Sequence, residues 1–197
     1  MARPRTITDE QIRAAAREVL VEHGPSAPVT LIAQKLGVSH SALFERVGSK
    51  KQLLLTALGP MRPPAVKLLA EAPPREGAPV RLADILIELM VFFREVVPNL
   101  IVLRASGTTM AELPPSEEGP PPVALRWALT RWLERASQAG VLAPMSAWAV
   151  AEGLLGAMEA RCFNRYLGGG AFTPGDDDTF VRELVNGLVP RSPGGKR

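Results

Sequence analysis

Cysteine is nearly absent: Cys162 is the only one in 197 residues. A single thiol excludes a disulfide framework and every multi-cysteine metal site. Two histidines, His23 and His40, leave little for histidine-based zinc chemistry. Long apolar runs are missing too. The longest charge-free stretch, Ala136 to Ala151, contains Ser137, Gln138, Pro144 and Ser146, whereas a spanning helix needs about 20 mostly apolar residues. No membrane partner is expected. The start, MARPRTITDE, has no apolar stretch behind its arginines, so it does not read as a secretory signal and a cytoplasmic protein is expected. GxSxG, Walker, HExxH and GxGxxG motifs are all lacking, so neither catalysis nor a cofactor is expected. What is present is 46% hydrophobic and 22% charged residues with a net charge of +3. That balance suits a folded globular chain, either one domain of good size or two small ones.

Charge is uneven. Residues 1–62 hold nine Lys/Arg and five Asp/Glu, while the remainder holds 14 basic and 15 acidic residues. The positive excess therefore sits in the first third. It is compatible with a polyanion partner there and equally with solvated surface charge.

Apolar periodicity and punctuation predict an all-α fold. Thr8-Asp9-Glu10-Gln11 reads as a capping box, followed by Ile12, Ala15, Ala16, Val19 and Leu20 at helical spacing and stopped by Gly24-Pro25. Short helices fit Val29–Leu36 and His40–Arg46, with Ser39 as a cap. A fourth opens at Ser49-Lys50-Lys51-Gln52 and runs to about Leu58. A resumed stretch fits 65–72. Longer helices are predicted over about 79–97, 98–106, 122–139, 145–167 and 176–189, the first two separated at Pro98. A mobile loop is expected over the Pro-rich, acidic 112–122 segment, and a disordered tail over 191–197. No period-2 strand pattern or internal repeat is visible.

The segment PVTLIAQKLGVSHSALFERVGSK, residues 28–50, has the spacing of a helix-turn-helix. Ala33 is small where two helices must cross closely. Gly37 supplies the tight turn four residues later. Ile32, Leu36, Val38, Leu43 and Val47 supply the contacts between helices. Ser39, His40, Ser41, Ala42, Glu45 and Arg46 can then face outward, as a helix entering a major groove requires.

Residues 7–58, from ITDEQIRAAAREVLVEHG through IAQKLGVSHSALFERVGSKKQLL, resemble the DNA-binding domain of the TetR (tetracycline repressor) family of bacterial transcription regulators. The resemblance implies an N-terminal three-helix helix-turn-helix domain, residues 1–50, with the fourth helix, 50–58, as connector. A helical ligand-binding and dimerisation domain over 51–190 would complete about nine helices. It further implies a homodimer on a palindromic double-stranded DNA operator, released by a small-molecule effector. Two positions depart from the family pattern. Phe44 stands where a tyrosine is usual, and Pro28-Val29 where a threonine is usual, with Thr30 able to supply that hydroxyl.

Lys50 resembles the family lysine that meets a phosphate at a helix N-terminus; a merely solvated lysine is the alternative. His40, Ser41 and Ala42 are the candidates for base edges, since the N-terminal residues of a recognition helix reach deepest. Arg46 suits a backbone contact. Thr30, Ser39 and Phe44 complete the expected DNA-binding set. Arg3 and Arg5 are read either as a minor-groove arm or as a tail without contacts.

In the C-terminal part the resemblance implies a four-helix bundle between subunits, built from the last two helices. Ala147, Ala151, Gly153 and Gly156 would let helices approach, and Phe180, Leu184 and Leu188 offer an apolar stripe. Effector candidates are Met90, Phe93, Leu103, Met110, Trp127, Met158 and Cys162, with Arg94 or Arg161 as a polar handle; each could equally be plain core. Asp176-Asp177-Asp178 reads as a cation lure or as decoration of a helix N-terminus. Two alternatives remain open: a DNA-binding regulator without a small-molecule effector, and an all-helical binding protein that does not touch DNA.

Overall fold

In the computed structural model, residues 7–59, 63–108, 112, 121–168 and 175–190 are described. The readings made for Arg3, Arg5, Met110, most of 112–122 and the tail 191–197 fall outside them. Nine helices and no strand occur among the described residues: α1 (Asp9–His23), α2 (Val29–Leu36), α3 (His40–Val47), α4 (Lys50–Leu58), α5 (Ala65–Ala70), α6 (Ala78–Ala105), α7 (Pro121–Gln138), α8 (Ala147–Gly168) and α9 (Asp177–Leu188). None is long and apolar enough to cross a membrane.

Local chemistry sets the starts. Thr8 Oγ1 accepts from the Gln11 amide, and the Gln11 side chain accepts from the Thr8 amide, a reciprocal cap on α1. Ser39 caps α3 by accepting from the Ala42 amide, and Ser49 caps α4 by accepting from the Gln52 amide. Pro28 precedes α2 without a side-chain cap. Gly37 ends α2 in the left-handed region, at φ 68°, where a side chain would be strained.

The two stretches predicted over 79–97 and 98–106 are one helix, α6, with Pro98 inside it. A proline within a helix loses the bond to the carbonyl four residues back and costs about 3 kcal/mol or more. Val96, Val102 and Leu103 around it are all buried, and each such side chain contributes about 1.5–3 kcal/mol. Together these outweigh the local break, which is why the proline does not stop the helix.

The chain divides into two compact units. The first comprises residues 1–60 together with 98–114, and the second 61–97 together with 115–197. The first unit therefore takes in α4 and the end of α6, beyond the boundary at residue 50 that the sequence suggests. Its core is built from Ile12, Ala16 and Leu20 of α1, Ile32 and Ala33 of α2, Leu43 of α3, Leu53, Ala57 and Leu58 of α4, and Val102 and Leu103 of α6. In the second unit Leu82, Ile85, Leu86 and Leu89 of α6 are buried. So are Leu129, Trp132 and Leu133 of α7, Leu154, Leu155 and Met158 of α8, and Val181 and Val185 of α9. Arg135 of α7 closes the end of α5 by donating to the carbonyls of Leu69, Ala70 and Glu71 at 2.6–3.1 Å.

Candidate nucleic-acid interface

α3 is eight residues long and buries only one, Leu43. Phe44 and Val47 are half-buried against the core of the first unit. His40, Ser41, Ala42, Glu45 and Arg46 are exposed. The turn before α3 is fixed by backbone bonds: the Gly37 amide donates to Gln34 and the Val38 amide to Ala33. A helix held at one end by such a turn, and along one edge by a buried leucine and two half-buried neighbours, presents most of its side chains outward. That is what groove reading requires.

Side-chain contacts order the exposed face. The His40 and Phe44 rings lie 4.6 Å apart at a tilt of 53°, so Phe44 supports the histidine from the following turn. Arg46 pairs with Asp9 at 2.9 Å, joining the end of α3 to the start of α1. Lys35 pairs with Glu18, joining α2 to α1. Thr30 is exposed at the start of α2. The Ser39 hydroxyl is occupied by its capping bond.

Residues 12–57 match the family model of bacterial regulatory proteins of the tetR family. The match covers the N-terminal helices α1 to α4 and not the rest of the chain. No curated protein matches it. Among solved structures, one described as the molecular basis for control of antibiotic production by bacterial hormones is 24% identical. It has a TM-score of 0.66, and the alignment covers 94% of this chain and 99% of that one. NalD, the secondary repressor of the MexAB-OprM multidrug efflux pump in Pseudomonas aeruginosa, is 17% identical with a TM-score of 0.64, covering 93% and 96%. The fatty acid degradation regulator FadR from Bacillus halodurans is 15% identical with a TM-score of 0.61, covering 95% and 97%. At these identities the likeness establishes the fold.

Within the matched segment Lys50 does more than face solvent. Its Nζ donates to the Ala27 carbonyl at 3.0 Å and the residue is half-buried. It lines a cleft of about 440 Å³ with Pro25, Ser26, Lys51, Leu54 and Ala105 through Thr108. Lys51 pairs with Glu112 at 2.8 Å.

The effector candidates fall into different places. Met90, Phe93, Met158 and Cys162 are buried in the second unit, and the Cys162 thiol lies 3.5 Å from the Met90 sulfur. Burial, and secondarily the Asp177 carboxylate, push that thiol up to about 11, so it stays protonated and unreactive near neutrality. Leu103 instead belongs to the core of the first unit. Trp127 departs from the expectation, being 59% exposed. The buried stripe of α7 runs through Leu125, Leu129, Trp132, Leu133 and Ala136, and position 127 points off that stripe.

The polar handles are committed elsewhere. Arg161, 7% exposed, donates to Asp177 Oδ1 at 2.7 Å and to the Gly175 carbonyl, and its guanidinium lies 4.6 Å from the centre of the Phe180 ring. Arg165 reaches Asp177 Oδ2 at 2.8 Å and Arg94 reaches it at 3.5 Å. Burial alone would raise the Asp177 carboxyl. The hydrogen bonds from Arg161 and Arg165 outweigh it and leave the group below the usual range. Asp176 caps α9 through Thr179. Sequence reasoning missed this anchoring role of Asp177. The available signal was Arg161 and Arg165, four apart on one helical face with no acid on that helix between them.

On α8 and α9, Gly153, Gly156, Phe163 and Leu167 are exposed together with Leu188, whereas Ala147 and Ala151 are buried within the subunit. Phe180 and Leu184 are half-buried.

Proposed function

We propose that this chain is a cytoplasmic, ligand-responsive transcriptional regulator that acts as a repressor on a palindromic operator. The observation that carries the reading is α3, where one buried leucine supports an otherwise open helix. His40, Ser41 and Ala42 take the base edges, with Lys50, Arg46 and Thr30 on the backbone. Ser39 contributes by holding the helix start, and Phe44 by bracing His40.

Homodimerisation supplies the second half-site. Its support is the apolar, glycine-containing face of α8 and α9, where Phe163 is 43%, Leu167 65% and Leu188 40% exposed, a grouping of the kind that marks association surfaces. The two recognition helices of a dimer must lie about 34–36 Å apart to meet successive turns of DNA. An effector releases the operator by binding better to a form with another spacing. NalD as an efflux-pump repressor, and the relative tied to a bacterial hormone, support repression and a small-molecule input. Enzymatic activity forms no part of this reading. The close Cys162–Met90 contact favours a second reading, in which the interior around these two side chains is filled by the protein itself and the input is another protein.

The test is an electrophoretic mobility shift with the full chain and the DNA upstream of its own coding sequence. A sequence-specific shift with two subunits per site is expected. A chain that is monomeric at micromolar concentration, or that binds all DNA alike, overturns the proposal.

A further inference from the structure

Asn99 lies on the buried face of α6 at 1% exposure. Its neighbours on that face, Val96, Val102 and Leu103, are apolar and buried. Neither the Nδ2 nor the Oδ1 of Asn99 has a hydrogen-bond partner among the described residues. A carboxamide can donate twice and accept twice. Leaving both ends unpaired in an apolar setting costs stability that a leucine of similar size would not. The preceding residue is Pro98, which has no N–H to give the Arg94 carbonyl, so the helix forgoes one of its own bonds at the same place. An unpaired buried amide of this kind is completed by something bound, either a ligand or an ordered water.

We infer that Asn99 is the polar recognition group for the effector. The effector is then a neutral, mainly apolar molecule carrying a hydrogen-bond donor beside an acceptor, as in an amide or lactam. The inference rests on the ligand-responsive reading above. Its chemistry follows from the side chain: Nδ2–H meets the acceptor, Oδ1 meets the donor, and the two bonds form side by side. Asn99 offers no charge to offset the lost hydration of an ion. A charged effector is therefore disfavoured at this position.

The experiment is calorimetric titration and thermal shift on the full chain with two probes of equal length. Hexanamide carries donor and acceptor; hexan-2-one carries the acceptor alone. Wild type should bind hexanamide at least tenfold more tightly than hexan-2-one. In Asn99→Leu, and in the smaller Asn99→Ala should the leucine not fit, that preference should fall to about twofold or less. Asn99→Leu alone should melt higher than wild type. Equal binding of the two probes, an undiminished preference in the variants, or binding of neither probe overturns the inference. So does a lower melting temperature for Asn99→Leu with no probe preference in wild type, because that result marks a structural water. A mobility shift with the wild-type chain separates the two levels of failure. Loss of DNA binding there fails the functional reading, whereas intact DNA binding without the probe preference fails only the role given to Asn99.

Discussion

The Nζ of Lys50 donates to the carbonyl oxygen of Ala27 at 3.0 Å, tying the first residue of α4 to the turn ahead of α2. An ammonium has three donors, so one bond to Ala27 leaves others for a phosphate. In the proposed role the same side chain would brace the turn ahead of α2 and meet the DNA backbone. Lys50→Ala is expected to cost roughly 1–2 kcal/mol in urea denaturation, as one charge-assisted bond is lost. It should also weaken DNA binding across all sequences and lower the salt slope by about one. Reduced stability with an unchanged salt slope would confine Lys50 to the turn.

Leu43 and Ser41 should behave oppositely. Leu43 is fully buried, and Leu43→Ala is expected to destabilise the chain by roughly 2–5 kcal/mol. Ser41 is exposed, and Ser41→Ala should stay within about 0.5 kcal/mol while changing which bases are preferred. Urea denaturation and selection from randomised DNA measure the pair. An unaltered base preference would remove Ser41 from the reading set.

The helix starts were legible because their chemistry is local. Thr8, Ser39 and Ser49 each bond within three residues, and the structure has all three caps. The turn at Gly37 and the buried positions of the helix-turn-helix follow the same short-range logic. Pro98 was not legible, since its local cost is overruled by burial of Val96, Val102 and Leu103, which depends on distant partners. Trp127 looks like core by composition, yet only its phase on α7 decides its side, and it falls on the open one. Asp177 looked like decoration of a helix end because the three arginines that meet it come from 12 to 83 positions away.

Acid should unfold the second unit through Asp177. Its carboxyl is held below the usual range, so its stabilisation is present above the ordinary aspartate value near 3.9. That stabilisation is lost as pH falls through the lower folded value. Asp177→Asn leaves the buried Arg161 without its counter-charge and is expected to cost roughly 3–5 kcal/mol at pH 7. Melting temperatures from pH 7 to pH 2 should show the variant flatter than wild type below about pH 4. Parallel curves would argue against the pair.

Glu159 should show the reverse sign. Burial raises its carboxyl, Glu152 adds to the rise, and Arg126 opposes it. The folded value lies above the unfolded one, so its stabilisation is present at low pH and is lost as pH rises through the folded value. Glu159→Gln should therefore raise the melting temperature at pH 7, with the gain vanishing towards pH 4. A variant that melts lower at pH 7 would make the contact to Arg126, at 3.7 Å, the dominant interaction.

Gly156 tests the dimer. A Cβ built there meets nothing within 4 Å in its own chain, and glycine in an exposed helix costs about 0.5–1 kcal/mol relative to alanine. Gly156→Ala should stabilise an isolated subunit, yet weaken self-association where a second copy's helix approaches that surface. Sedimentation is expected to show a weaker dimer. A higher melting temperature with unchanged association would move the contact off this face of α8.

If α3 reads bases as proposed, an eight-residue helix anchored by Leu43, Phe44 and Val47 keeps fold and preference on separate atoms. Replacing His40, Ser41 or Ala42 disturbs almost nothing that holds the domain together, so a lineage can retarget this surface without first acquiring compensating changes in the core. Duplicated copies of such a chain are free to drift apart in the promoters they occupy while melting at nearly the same temperature.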